Sequence, residues 1–221
     1  MKLTFDNVSK RYNDLIVFEN LTLNFEEGKC NSLLGPSGCG KTTILRLIAG
    51  LEKPNEGTLK VDGKVGVVSQ ENSLFPWLTV YENIVFGLNH HKSIKESFGK
   101  LYVEKVGLKG YENYYPHQIS GGMKQRTNLA RTLITEPDIL LLDEPLGALD
   151  YQTKLNMQKE VKKQIEGITT ILITHDSREA VTLSDKVTLL TNKPISILEE
   201  INNPKSYKKI EKVYMDAILP L

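Results

Sequence analysis

Apolar residues recur along this chain in two rhythms. From Leu3 to Phe25 they alternate with polar ones, as in Leu21-Thr22-Leu23-Asn24-Phe25, which is the period of strands with one solvated face and predicts antiparallel pairing. Four other stretches are unbroken: Leu33-Leu34 following Asn31-Ser32, Val65-Gly66-Val67-Val68, Ile139-Leu140-Leu141-Leu142, and Ile171-Leu172-Ile173. Short continuous runs of this kind suit strands covered on both faces of a parallel sheet. Each is followed by small or polar residues: Gly35 after the first, Ser69 and Gln70 after the second, Asp143 and Glu144 after the third, and Thr174, His175 and Asp176 after the fourth. Ligands of open parallel sheets bind beyond the carboxyl ends of the strands, so these distant residues are predicted to converge.

Between Gln70 and Ile139 the texture changes. Residues 79–110 are polar and helix-leaning, and a further helix is predicted from Gly122 to about Thr135, stopping before Pro137. The expected fold is α/β: a core of residues 1–70 and 137–190 that combines a parallel sheet with N-terminal antiparallel strands, and a helical subdomain of residues 71–136 inserted into it. The tail, residues 191–221, carries Pro194, Pro204 and many lysines, and is expected to pack loosely and end in a short helix.

The first run of strand leads into Gly35-Pro36-Ser37-Gly38-Cys39-Gly40-Lys41-Thr42-Thr43. Gly35, Gly40, Lys41 and Thr42 have the spacing of a phosphate-binding loop. Glycines let the backbone curl and aim its N–H groups at phosphate oxygens, and a helix starting near Lys41 brings its positive end to the same place. Lys41 supplies a point charge for the β- and γ-phosphates of a nucleotide, and the Thr42 hydroxyl can ligate Mg²⁺. The strand before and the helix after, Ile44 to Ala49, give the motif its required context, so this is read as a P-loop NTPase core. Cys39, beside Lys41 and a helix N-terminus, is expected to react with thiol reagents and to be protected by ATP. A second glycine pair, Ile119-Ser120-Gly121-Gly122-Met123-Lys124-Gln125-Arg126, pairs a good N-cap with a backbone that can approach an anion closely.

Bulk properties narrow the classes. The 221 residues carry a net charge of +1, which does not imply a broad basic face for nucleic acid and leaves only a local patch open. The cysteines, Cys30 and Cys39, suggest no disulfide framework and fit a reduced, cytosolic setting. Met1 to Asp6 lacks the apolar stretch of a leader, and no run approaches the ~20 apolar residues of a membrane helix.

Taken together and in order, these segments resemble the ATP-binding subunit of an ABC transporter over nearly the full chain. Residues 35–42 match the Walker A loop, Gln70 the Q-loop, residues 119–125 the family signature (with Ile119 where leucine is commoner), residues 139–144 Walker B with the catalytic glutamate, Ala148-Leu149-Asp150 the D-loop, and His175 the switch histidine. Tyr12 falls where the family's adenine-stacking aromatic lies. The resemblance implies an ATPase whose copies pair head to tail around two ATP molecules. Each ATP would sit on the Walker A loop (Gly35, Pro36, Ser37, Gly38, Cys39, Gly40, Lys41, Thr42, Thr43) of one copy and face Ser120, Gly121, Gly122 and Gln125 of the other, with Asp150 crossing the interface. Thr42, Gln70 and Asp143 would hold Mg²⁺, and Lys41, Gln70, Glu144 and His175 would carry the catalysis. Expected partners are integral-membrane permease subunits and, through them, an extracytoplasmic solute-binding protein; nucleic acid is not expected. The expected place is peripheral, at the cytoplasmic face of the cell membrane.

Leu74-Phe75-Pro76-Trp77-Leu78-Thr79-Val80-Tyr81-Glu82-Asn83 further resembles a stretch of nitrate, sulfonate and taurine importers, and thiamine-precursor importers share much of that wording. The direct link from Asp62-Gly63-Lys64 into Val65, and Ser69 before Gln70, depart from that subgroup. An exporter subunit and a non-transport ABC ATPase acting on nucleic acid are the alternatives. A GTPase is argued against because Asn192-Lys193 continues into Pro194-Ile195 and not into a guanine-reading Asp.

Overall fold

The computed structural model describes residues 2–69, 74–88, 92–147 and 150–218, with backbone alone at 92–95 and 214–218. The alternating N-terminal segment forms β1 (Leu3–Tyr12) and β2 (Leu15–Asn24), paired antiparallel, with β4 (Glu56–Val61) on the other side of β1. The unbroken apolar runs form β3 (Cys30–Leu34), β5 (Val65–Val68), β6 (Ile139–Asp143) and β7 (Thr169–Thr174). With β8 (Lys186–Leu190) and β9 (Ile197–Asn202) they make a second sheet in the order β5-β6-β7-β3-β8-β9, parallel except for β9.

Alternate residues of the parallel strands serve different layers. Leu33, Ile139, Leu141, Ile171 and Ile173 pack with Phe5, Phe18 and Leu23 of the small sheet and with Ile44 and Leu47 of α1 (Lys41–Ile48). Leu140, Leu142 and Leu172 face the opposite way, onto Leu129 and Leu133 of α4 (Gly121–Leu133) and Met157 and Val161 of α5 (Tyr151–Gln164). Both faces are therefore dry, which is why these strands read as solid apolar runs.

The tail corrects the expectation of loose packing. Its strand β9 extends the sheet antiparallel to β8, and its helix α7 (Tyr207–Ile218) lies against α6 (Ser177–Leu183). Ile195 and Ile210 are both buried, and the Ile195 N–H donates to the Val17 carbonyl at 2.8 Å. The turn at Asn192-Lys193-Pro194 masks the hairpin in the sequence.

Between β5 and β6 the described chain is helical: α2 (Val80–Val85), α3 (Lys92–Lys105), a 3-10 turn at Pro116–Gln118 and α4. Helix α2 starts with a reciprocal cap, Thr79 Oγ1 accepting from Glu82 N and Glu82 Oε2 accepting from Thr79 N. The loop before it is held by Asn83, which is fully buried. Its Oδ1 accepts from Phe75 N at 2.9 Å, and its Nδ2 reaches the carbonyls of Phe75, Leu78 and Thr79 at 3.1, 3.0 and 2.9 Å. One amide thus satisfies a turn that has no ladder of its own. Replacing it would strand these backbone groups, so Asn83→Ala is expected to lower stability by about 2–3 kcal/mol in urea unfolding. A loss within experimental error would mean that the turn is held by its apolar contacts instead.

Candidate functional site

The phosphate-type loop lies where the sequence placed it, between the end of β3 and α1. Gly38 and Gly40 have φ of +76° and +122°, and a Cβ on Gly40 would stand 2.4 Å from Val17 Cγ1 and 3.0 Å from Ile195 Cδ1. Glycine is required there twice over, by conformation and by the close approach of β2 and the tail. Ser37, Gly38 and Thr42 are exposed, and Pro36 and Thr43 are half-buried. Lys41 is buried, and its Nζ donates to the carbonyls of Gly35 and Pro36 at 2.7 and 2.8 Å. The ammonium is held within the curl of the loop and would exchange these neutral acceptors for an anion. Cys39 is 2% exposed, with Sγ 4.0 Å from Lys41 Nζ, which corrects the expectation of a reagent-accessible thiol: the loop must open before a reagent reaches it.

Asp143 is the last residue of β6. Burial pushes its carboxyl above the usual range and the neighbouring Glu144 charge pushes it further, against the pull of Lys41 and Arg46. Glu144 follows at φ +45°, a conformation uncommon for residues other than glycine and concentrated at functional sites. Its N–H donates to Ile173 O at 2.9 Å, continuing the pairing with β7, and the turn swings the carboxylate to 3.0 Å from His175 Nδ1. The imidazole donates when Nδ1 carries the proton. The glutamate is mostly buried and the histidine is 55% exposed, so the pair opens outward. Lys41, Asp143, Glu144 and His175 thus share one sheet edge: a cation, two carboxylates and an imidazole beside backbone that can bind phosphate.

Other sequence-selected residues lie apart from this cluster. Ser120 caps α4, its Oγ accepting from Met123 N at 3.3 Å, with Gly121 exposed at the first position and Gly122 packed so tightly that a Cβ would touch Thr153 Cγ2 at 3.0 Å. Gln125 is buried one turn on. Asp150 caps α5, and bonds from Thr153 hold its carboxyl below the usual range. Tyr12 ends β1 with its ring partly exposed. Its hydroxyl donates to Glu52, and Lys10 sits 4.8 Å from the ring centroid while pairing with Glu52 at 3.0 Å. Lys10 thus covers one face of the ring. Gln70 and the Ala148-Leu149 pair lie outside the described residues. Among the described residues no group of three or more His, Cys, Asp or Glu is placed to hold a metal, and no helix is long and apolar enough to cross a membrane.

The sequence did not point to Lys10, Glu52, Lys154 or Glu179. Lys10 and Glu52 are distant in sequence and look like ordinary surface charges. Glu179 stands three residues after Asp176 and reads as the far member of a capping box, yet it is 2% exposed. The available signal was its place on the apolar face of α6, in line with Ala180 and Leu183.

Comparison with known proteins agrees with this geometry. The family model described as "ABC transporter" matches residues 18–147, which include the loop, Ser120 and both carboxylates. The chain is 47% identical over 208 residues to the spermidine/putrescine import ATP-binding protein PotA of Acetivibrio thermocellus, covering 86% of this chain and 58% of that protein. It therefore spans little more than half the length of that relative. It is 41% identical over 221 residues to the aliphatic sulfonates import ATP-binding protein SsuB 1 of Shouchella clausii, covering 98% of this chain and 88% of that protein. Among solved structures, the dimeric structure of MJ0796, a bacterial ABC transporter cassette, superposes with a TM-score of 0.78 at 29% identity, covering 92% of this chain and all of that one. The same cassette has been solved in a post-hydrolysis state bound to ADP and phosphate. With a family match over more than half of its length, and relatives that align along nearly all of it, the chain belongs to the ABC transporter ATP-binding family.

Proposed function

We propose that this chain is the ATP-hydrolysing subunit that powers a membrane importer, and that the solute is a small anion or organic molecule of the nitrate, sulfonate or taurine kind. The observation that carries the ATPase reading is Glu144, bent to φ +45° so that its carboxylate meets His175 at the sheet edge that bears the phosphate-type loop. The solute class is supported by the sulfonate relative, which is matched over most of its own length, and by the wording of residues 74–83.

In this reading two copies pair head to tail. The loop amides and Lys41 hold the phosphates of ATP from one side. Ser120, Gly121 and Gly122 of the second copy close over the γ-phosphate, and Asp150 crosses near the opposing loop. Glu144 orients and polarises the attacking water, His175 binds the γ-phosphate, and Tyr12 stacks on the adenine. This is positioning and electrostatics applied to a loose phosphoryl transition state. The hydroxyl of Thr42 and the carboxylate of Asp143, with Gln70, suit Mg²⁺, which favours hard oxygen donors; burial, and then the neighbouring Glu144, raise the proton affinity of Asp143, and a bound cation would offset both. When bound, the metal would neutralise charge on the β- and γ-phosphates. Residues 1–70 and 137–190 act as the nucleotide-binding core and 71–136 as the helical unit that moves against it, with 191–221 as the tail.

The permease is proposed to dock beside residues 74–78, with the subunit peripheral at the cytoplasmic face of the membrane and the solute-binding protein engaged only through the permease. Trp77 and Phe86 are 69% and 57% exposed, and Phe75 bridges them with ring centroids at 5.5 and 4.4 Å. An exposed aromatic cluster on a tightly stapled turn suits an amphipathic helix from a partner.

Four variants test this reading. Glu144→Gln should bind ATP but hydrolyse it at least ~100-fold more slowly, the size of a lost general-base contribution, and should accumulate as a dimer with Mg-ATP on size exclusion. Lys41→Ala should lose both binding and hydrolysis, and brisk turnover in either variant would remove the site from consideration.

Asp143 gives a signed pH effect. Its folded pKa lies above the unfolded one, so the native state holds the extra proton between the two values, and stability falls as pH rises through that window. Asp143→Asn should therefore melt higher than the parent at pH 7.5 without nucleotide, the gap closing as pH falls towards about 4, while Mg²⁺-dependent hydrolysis is lost. A lower melting point in the variant would make Asp143 a structural anchor.

Trp77→Glu should leave ATP binding and basal hydrolysis of the isolated subunit unchanged while abolishing co-purification with the permease from detergent-solubilised membranes. Retained co-purification would place the docking surface elsewhere.

A further inference from the structure

Beneath His175 lies a buried polar arrangement that the proposed chemistry does not use. Thr174, 1% exposed at the end of β7, donates its hydroxyl to Glu179 Oε2 at 2.6 Å and accepts from the Asp176 N–H at 3.0 Å. Both groups flanking His175 are thereby fixed by one hydroxyl. Asp176 in turn caps α6, its Oδ1 accepting from Arg178 N at 2.8 Å and Glu179 N at 3.2 Å, while its Oδ2 pairs with Lys154 Nζ at 2.7 Å. Lys154 stands one turn into α5, and its N–H donates to the Asp150 carbonyl at 2.9 Å. Glu179 is 2% exposed, and its Oε1 has no hydrogen-bond partner among the described residues. Burial raises its proton affinity, only partly offset by Thr174 and Lys154. A buried carboxyl of this kind is costly to the fold, and an ordinary capping box would have turned it outward to the Asp176 N–H. Thr174 is interposed instead, so the carboxyl grips the turn from inside the protein.

We propose that Glu179 is a positioning residue for ATP hydrolysis: through the Thr174 hydroxyl it fixes the turn that presents His175 to Glu144, and the Asp176–Lys154 pair couples that turn to α5 behind Asp150. This rests on the reading of His175 as the γ-phosphate contact. A mere packing role would cost melting temperature; a positioning role costs rate at constant affinity and acts only through His175.

The test is single-turnover ATP hydrolysis with nucleotide affinity and melting measured alongside. The paired change Thr174→Val/Glu179→Leu removes the buried donor and acceptor together, so no carboxyl is left buried without its hydroxyl, and frees the Asp176 N–H from the Thr174 oxygen that holds the turn. It should cut the rate about tenfold, as one well-placed hydrogen bond would, with ATP affinity within about twofold. Glu179→Gln, whose amide oxygen still accepts from Thr174, should stay within about threefold of the parent. In a His175→Ala background the paired change should cost less than about twofold more, because interacting residues are not additive. Equal losses in both backgrounds, an unchanged rate, or a loss of affinity instead of rate would overturn the proposal. Should the paired variant fail to fold, Lys154→Met decides by the same readings: it should lower the rate at constant affinity, less so without His175, and no loss would overturn it. If His175→Ala itself hydrolyses at the parental rate, the reading of His175 falls and this proposal with it. If His175→Ala is slow and the paired variant is not, only this proposal falls.

Discussion

Two carboxylates side by side at the end of a strand buried on both faces is the arrangement around which this site is organised. Asp143 ends this strand and Glu144 follows it, so burial first, and the adjacent like charge second, penalise the ionised form of Asp143. The fold answers in three ways. Lys41 and Arg46 supply positive charge from α1. The backbone at Glu144 turns into a left-handed conformation and carries its carboxylate away towards His175. The rest of the deficit falls on Asp143, whose carboxyl stays proton-hungry. In the proposed reading a metal-bound polyphosphate would be the natural relief, since such a ligand would bring a cation to Asp143 and offer the ammonium of Lys41 an anion in place of neutral carbonyls.

Most of this architecture was legible because it is written in local patterns. Strands buried on both faces leave apolar runs, and β3, β6 and β7 were read from them directly; β5 was read from the same signal although it ends the sheet and leaves Val67 exposed. The loop from Gly35 to Thr43 needs its glycines for conformation, as Gly40 shows by its φ and by its contact with Val17. What remained hidden depends on partners far along the chain. Strand β9 exists because β8 offers an edge, and its own sequence is too short and mixed to announce it. Trp77 is apolar, which says nothing of its exposure; the buried anchor of that turn is the polar Asn83. Cys39 was placed correctly by the loop, yet its burial depends on how the loop curls over Lys41. Glu179 is buried because Thr174 receives it, a relation between the ends of a turn that no composition or period records.

Helix α5 gives these parts a mechanical relation. Its first turn touches the glycine turn of α4, where a Cβ on Gly122 would stand 3.0 Å from Thr153 Cγ2, and its Lys154 holds the loop that bears His175. Its N-cap is Asp150 itself. In the proposed dimer the α4 turn addresses one ATP and His175 the other. In that reading a displacement of the glycine turn on contact with one nucleotide would press on Thr153, and close-packed interfaces shift as bodies more readily than they compress. It would pass to α5, and from α5 through the Lys154–Asp176 pair to the turn that bears His175. On this reading the close approach at residue 122 and the ion pair of 154 with 176 act on one helix: the first would press on its opening turn, and the second would carry its movement to the turn beside His175.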